Sequence, residues 1–575
     1  MKKFFLMFSL MILVFSVWCV SASAVVNNTV KVGLKYGSNS LYSANLENYS
    51  GHGQGYEFGY FDDQRVFVPL GVSTDKTAVS MTEDGNIYLS GGVYSASASS
   101  NAEVIGGYHI QLDASFASYE DAAYVASQFR NGYVAYISDV FCVRMGNYAT
   151  AADAEAYSVN FAGLTWLDQS GTSYAVSVKV VSPTSTGIVV TETKTSNILF
   201  QFDCLGVRNF GVMPKGAEKT VTWFKGNRYY GGFEYTRITG GHINVLNVVG
   251  LEDYVKCVTP SEMPSSWEME AIKAQAICAR TYVMGSVKHM RTYGFDVCAS
   301  TCCQAYGGQA NAKASSNAAV DATAGMCIYY NGTVIGGNAV FYSSNGGASE
   351  DSENVWSSTI PYLRGKEDPY EGTITIPGYK YTVTYTAEQL TDIVARNGYG
   401  SIGTVADIYV SEWTEVGNVK KVTIVNTAGK TRTVKGETCR TIFNSSAYGK
   451  TVKSQRYTIN GAGASGGSEN TFYINGASNP VSTLSGLYTI SDSGIIGAYN
   501  GTDSEAYVIT SSGSAPLVVG GTGNTPSYED GTFVIEGTGW GHNVGLSQYG
   551  AQAMAKLGYS YKDILEFYYT GVTVA

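Results

Sequence analysis

The sequence predicts an α+β protein of several domains, and three features carry that expectation. At 575 residues the chain is longer than a single hydrophobic core organises. Alternating apolar and polar runs broken by Gly, Asn and Ser fill its early part, as in Val30-Lys31-Val32-Gly33-Leu34, the pattern of strands and turns. Further on, strand patterns alternate with helical ones.

Residues 1–24 combine a basic start (Lys2, Lys3), an apolar run from Phe4 to about Val20 and the small-residue ending Ala22-Ser23-Ala24. This predicts a removable signal peptide, because the apolar run is short for a spanning helix and ends at a cleavage-like site. Trp18 is too bulky to precede a lipidated Cys19. The expected product is an exported protein, extracellular or associated with the cell wall in the cell envelope.

The formal charge is −10, and it becomes −12 when Lys2 and Lys3 leave with the signal, which speaks against nucleic acid as a partner. Charged residues make up only 15% while Tyr reaches 44, a balance that favours strand-rich extracellular folds whose tyrosines mostly fill half-buried sheet positions. Of ten cysteines, loss of Cys19 leaves nine. An odd number excludes a complete set of internal disulfides.

Residues 25–104 are expected to form a strand-rich N-terminal segment. A doubled unit follows at 105–182. Tyr108-His109-Ile110-Gln111-Leu112 is an alternating strand, and Ser118 caps a helix running to about Phe129. Tyr133 to Ile137 and Phe141 to Gly146 are further strands, after which Thr150 caps a second helix. This doubled strand–helix pattern resembles a SPOR domain, a resemblance that implies binding to peptidoglycan strands stripped of stem peptides. Asp113-Ala114 stands where that family usually has glycine.

Residues 200–575 form the third unit, with His242 to Val249 as a strand and a long helix expected from about Trp267 to His289. Ser265-Ser266-Trp267-Glu268 reads as its capping box, and Met269, Ile272, Ala276, Ala279 and Val283 as its core-facing stripe. A helix near Ala387 to Asn397 interrupts later strands. A turn-rich insertion of low charge is expected at about 461–527.

Glu262 lies in Thr259-Pro260-Ser261-Glu262-Met263-Pro264, just before the expected long helix. Taken alone it reads as a cap or a surface turn residue. The prolines fix the backbone, which suits a side chain that must be held in place. To protonate a glycosidic oxygen, its carboxyl must be harder to ionise than usual, which an apolar pocket achieves. The expected helix N-terminus beside it pushes the other way.

Around this glutamate, Val249 to Pro264 is followed by Ala271-Ile272-Lys273-Ala274-Gln275-Ala276 and Ala279-Arg280-Thr281-Tyr282. Further blocks keep the same order: Phe341-Tyr342-Ser343-Ser344-Asn345-Gly346-Gly347; Val355-Trp356 with Asp368-Pro369-Tyr370; and Gly539-Trp540-Gly541-His542 through Gln548-Tyr549-Gly550-Ala551. Over about residues 219–575 this closely resembles the stage II sporulation protein D family (SpoIID/LytB). The resemblance implies lytic transglycosylase activity on peptidoglycan, cleaving the MurNAc–GlcNAc bond of glycan strands, expected to be peptide-free ones, to leave 1,6-anhydro-MurNAc ends in sporulation or wall remodelling. It makes Glu262 the catalytic residue, with Lys273, Arg280, Ser344, Asn345, Asp368, His542 and Gln548 as substrate-binding candidates. Lys273 and Arg280 share a helix face, and the Ser344-Asn345-Gly346-Gly347 turn allows close backbone approach. His542 reads equally as a cleft residue or as a structural hydrogen bond in a closing turn.

Family members carry a Cys and His arrangement for zinc near Cys298-Ala299-Ser300-Thr301-Cys302-Cys303. Here Cys298, Cys302, Cys303 and His289 are the candidate ligands of a structural zinc ion, the sole expected cofactor. Free thiols or a disulfide remain open. The rival to the enzyme is a non-catalytic wall-binding protein that modulates an amidase, a partner the LytB name implies.

Overall fold

A computed structural model describes residues 28–216, 219–237, 241–286, 288–460 and 532–575, with the backbone of four short strands between 488 and 516. The signal segment and most of the 461–527 insertion lie outside the described residues. The α+β class holds: helices and many strands share one chain. Among the described residues no helix is long and apolar enough to cross a membrane.

Two large sheets organise the first half. The seven-stranded sheet runs, edge to edge, Val297–Cys298, Thr29–Lys35, Ile243–Gly250, Gly232–Arg237, Phe210–Pro214, Tyr56–Phe61 and Phe67–Thr74. The ten-stranded sheet begins with the doubled unit, as Val178–Val181, Tyr108–Phe116, Val140–Tyr148 and Gly132–Ile137, and continues through Ile198–Asp203 to strands of the N-terminal segment. Residues 25–104 therefore do not pack as a body of their own. Thr29–Lys35 pairs antiparallel with Ile243–Gly250, Val30 opposite Val249 and Val32 opposite Asn247. Phe58 of one sheet stacks on Phe200 of the other with centroids 5.8 Å apart, so one core serves both sheets.

Within the doubled unit the local chemistry acts as the sequence predicts. Ser118 Oγ accepts from the Asp121 N–H at 3.1 Å, capping helix Tyr119–Ala126, and Thr150 Oγ1 accepts from the Asp153 N–H at 3.2 Å, capping Ala151–Ser158.

The region around the glutamate differs from expectation. Residues Leu251–Glu262 are themselves a helix, with Leu251, Tyr254, Val255 and Val258 buried in the shared core. Each such side chain contributes roughly 1.5–3 kcal/mol. Pro260 is tolerated because it sits in the last turn, where its missing N–H costs a single bond to the Lys256 carbonyl. The following helix runs Met269–Met284, shorter than the expected Trp267–His289, and its N-cap Glu268 makes no side-chain cap bond, so the capping box does not form. Nor is its apolar surface one stripe. Ala276, Ala279 and Val283 face the sheet core, while Ala271, Ile272 and Ile277 face a second core built with helices Gln548–Lys556 and Tyr561–Tyr568. Met269, expected inside, is 39% exposed.

A third core lies under strands Lys380–Thr386, Thr532–Thr538 and Tyr457–Ile459, the sheet Val405–Trp413, Val419–Asn426, Thr431–Lys435, and helix Ala387–Val394. That helix starts at a capping box between Thr386 and Gln389, which explains the expected start near Ala387. The parallel pairing of Phe341–Tyr342 with Leu546–Ser547 brings two distant motifs together.

Candidate active site

Glu262 ends its helix and is half-buried. Its Oε1 accepts one hydrogen bond, from the Ala305 N–H at 2.7 Å. Among the described residues, no acidic or basic side chain pairs with this carboxyl. Burial raises its pKa above the ordinary 4.5, and the Ala305 N–H opposes that shift only in part. The expected conflict with a helix dipole is corrected here. The helix end beside Glu262 is a C-terminus, whose partial negative charge favours the protonated acid and so acts in the same direction as burial.

Ala305 is held from both sides. Tyr254 Oη donates to Gln304 Oε1 at 2.9 Å and Gln304 Nε2 donates to the Ala279 carbonyl at 3.4 Å, while Tyr306 Oη donates to Asn247 Oδ1 at 2.6 Å. Gln304 and Tyr306 are buried, so the N–H aimed at Glu262 is fixed by two anchored neighbours.

Of the sequence candidates, Gln548 reaches Glu262 directly. Its Nε2 donates to the Glu262 carbonyl at 2.9 Å and to Gln275 Oε1 at 3.3 Å. Tyr549, the next residue, donates its N–H to the Ser343 carbonyl at 2.9 Å and packs its ring 4.8 Å from Trp267.

Ser344, Asn345 and Asp368 form a second, buried group behind that contact. Asn345 Nδ2 donates to Asp368 Oδ2 at 2.5 Å, as does Tyr568 Oη at 2.5 Å. At the centre stands Glu371, which no sequence motif singled out. It accepts from Ser344 Oγ at 2.8 Å, from the N–H groups of Asn345 and Gly346 at 2.8 and 3.1 Å, and from Ser547 Oγ. Burial pushes its pKa up while these donors pull it back. One carboxylate thus ties the Ser343–Gly347 turn to the residue preceding Gln548. Gly346 allows this turn: its φ is +73° and an added Cβ would lie 2.5 Å from the Thr538 carbonyl oxygen.

The remaining candidates sit elsewhere. Lys273 Nζ is paired with Glu270 Oε1 at 2.7 Å. Arg280 is fully buried, gripping Glu252 through two bonds of 2.8 and 2.7 Å. Glu252 lies ten residues before Glu262 on the same helix, so Arg280 acts roughly 15 Å from the acid. His542 Nδ1 accepts from the Val544 N–H at 3.2 Å, so its Nε2 donates to the Phe341 carbonyl at 3.1 Å. Burial lowers its pKa to about 4, leaving a neutral imidazole that ties the closing turn to its neighbouring strand.

The metal candidates meet. One ligand atom each from His289, Cys298, Cys302 and Cys303 lies within 4.8 Å of all the others. Ligands around a tetrahedral zinc stand about 3.5–4 Å apart, so the four need only small adjustments, and the adjacent Cys302 and Cys303 both reach the cluster. His289 Nε2 is buried without a hydrogen-bond partner, and none of these cysteines is in a disulfide. Both observations fit a soft metal ion.

Comparison with known proteins gives consistent results. Residues 239–330, which hold Glu262 and the four metal candidates, match the family model "Stage II sporulation protein" (SpoIID). The chain is similar to the amidase enhancer of Bacillus subtilis (strain 168), 32% identical over 329 residues, covering 56% of this chain and 40% of that protein. It is similar to stage II sporulation protein D of the same organism, 27% identical over 342 residues, covering 57% of this chain and 75% of that protein. Stage II sporulation protein D of Bacillus amyloliquefaciens matches at 26% over 346 residues. The chain thus spans well under half the length of the amidase enhancer that it matches.

Proposed function

We propose, for a chain whose residues 239–330 belong to the Stage II sporulation protein (SpoIID) family, a lytic transglycosylase acting on peptidoglycan glycan strands in sporulation or wall remodelling. The observation that carries this reading is Glu262, a single carboxyl with raised pKa and, among the described residues, no second carboxylate paired with it.

Most glycoside hydrolases need two carboxyl groups, one as acid and one as nucleophile or base. A lytic transglycosylase needs one, because the C6 hydroxyl of N-acetylmuramic acid is the nucleophile. Protonated Glu262 gives its proton to the bridging oxygen as the C1–O bond breaks. The C6 oxygen bonds to C1, and its proton passes to the Glu262 carboxylate, which restores the acid and leaves a 1,6-anhydro end. Gln548 holds the backbone of Glu262, and the Ala305 N–H orients the carboxyl while leaving its other oxygen free for the substrate. The test is turnover of peptide-free glycan by the wild type and by Glu262→Gln. Activity in the first and none in the second supports the enzyme; equal activity overturns it.

Residues 105–182 are proposed to hold the same glycan, raising its local concentration at the site. His289, Cys298, Cys302 and Cys303 would hold a structural zinc that fixes the segment leading to Ala305; the chemistry such an ion supplies there is cross-linking. The second reading, a non-catalytic modulator of an amidase, is favoured by the name of the amidase enhancer. No turnover of glycan by either the wild type or Glu262→Gln, together with stimulation of an added amidase by both, would establish it.

A further inference from the structure

Lys453 and Trp540 lie outside everything assigned so far. Trp540 is 53% exposed, although its backbone exchanges two hydrogen bonds with Ser344, of 2.7 and 3.0 Å. The Lys453 ammonium lies over this ring, 4.8 Å from its centroid, and 5.7 Å from the ring centroid of Tyr381. The Gly541 N–H donates to the Lys453 carbonyl at 2.9 Å, so the two backbones are joined beside the pair.

Arg456, three residues on from Lys453, is held by the Val416 carbonyl at 2.8 Å and Asn418 Oδ1 at 3.2 Å. Lys453 has no carboxylate partner among the described residues, and it is half-buried. An ammonium held by aromatic rings with no counter-ion is set to receive an anion. About half of Trp540 is exposed, an aromatic surface of the kind on which a sugar ring stacks.

The pair is also connected to the acid. Gln548 touches the Glu262 carbonyl, Tyr549 bonds Ser343, and Ser344 bonds Trp540. Two steps along a chain and two across to a neighbouring strand span at most roughly 20 Å, and the Gln548 side chain adds up to about 10 Å, so the pair lies within reach of a glycan of several sugar units. In peptide-free glycan, muramic acid exposes a free lactyl carboxylate. Where a stem peptide is attached, that group is a neutral amide.

We propose that Lys453, seated on Trp540, binds the free lactyl carboxylate of muramic acid and thereby selects peptide-free strands. This rests on the glycan-cutting function proposed above, and it adds the substrate group and the residue that reads it.

Peptide-free glycan is prepared as the free acid and, in parallel, with its lactyl carboxylates converted to methylamides. Binding of both is measured by calorimetry on the full chain carrying Glu262→Gln, and turnover of both on the wild type. The free acid is expected to bind roughly ten-fold more tightly. Adding Lys453→Met should lower free-acid affinity to that of the amide, Lys453→Arg should keep the preference, and Trp540→Ala should weaken both ligands alike. Equal affinity for acid and amide with Lys453 intact overturns the proposal, as does an equal loss for both in Lys453→Met. A preference that depends on Lys453 in a protein without turnover would leave the recognition standing and remove the catalytic reading. Turnover of acid and amide alike would do the reverse.

Discussion

A carboxylic acid that must donate a proton near neutral pH has to resist ionisation, and at Glu262 burial and the helix C-terminus both provide that resistance. Activity should therefore fall as pH rises through the elevated pKa, because the ionised form has no proton to give. Glu262→Gln should cost about 10²–10⁴-fold in turnover, read as product per enzyme on peptide-free glycan. Its effect on stability has the opposite sign. The folded carboxyl holds its proton more tightly than the unfolded one, so ionisation costs native stability as pH climbs above the ordinary 4.5. Thermal melts should show Glu262→Gln gaining on the wild type above that pH; a constant difference across the range would contradict the raised pKa. Glu262 was legible in the sequence through its motif. The donor at Ala305 was not, because a backbone N–H leaves no trace in residue type.

At the scale of elements, the Ser343–Gly347 turn and the start of helix Gln548–Lys556 are one construction, tied by Glu371, and the Asn345–Asp368–Tyr568 bonds join helix Tyr561–Tyr568 to it. Gly550 makes room for it: an added Cβ would meet Tyr568 Oη at 1.7 Å. Gly550→Ala should cost about 1–3 kcal/mol in chemical denaturation. Adding Tyr568→Phe should recover part of that loss; no recovery would place the strain elsewhere. Glu371→Gln turns an acceptor of four bonds into a group with donors facing donors. It should destabilise by about 1–3 kcal/mol in the same assay and lower turnover without moving the pH profile. Here sequence reading reached the motifs and missed their hub, since Glu371 follows Asp368-Pro369-Tyr370 with nothing to mark it as buried. It also misread the segment before Pro264 as non-helical. A proline in a last turn removes one hydrogen bond and leaves the helix standing.

For the whole molecule, order along the chain and order in space differ. The strand Thr29–Lys35 lies between Ile243–Gly250 and Val297–Cys298, so the N-terminal segment completes the sheet that supports the glutamate helix. A truncated protein beginning at residue 200 should be insoluble or lack fixed near-ultraviolet circular dichroism, whereas the chain from residue 28 should fold. Alternation and turn residues revealed these strands, but not their partners, because pairing across two hundred residues is decided by the shared core. The thiol–imidazole cluster belongs to this scale too, since it staples the strand edge at Cys298 to the segment before Ala305. Metal analysis of protein purified without chelator should find one zinc per chain, and chelation should lower the melting temperature; metal-free protein with an unchanged melt would exclude the site.

The most direct measurement is mass analysis of the ends released from defined peptide-free glycan by the wild-type chain. Ends lighter by one water than a hydrolytic product, absent with Glu262→Gln, are the expected result. Ends that carry oxygen from labelled water, or the same products from both proteins, would contradict a single acid working with the substrate's own hydroxyl.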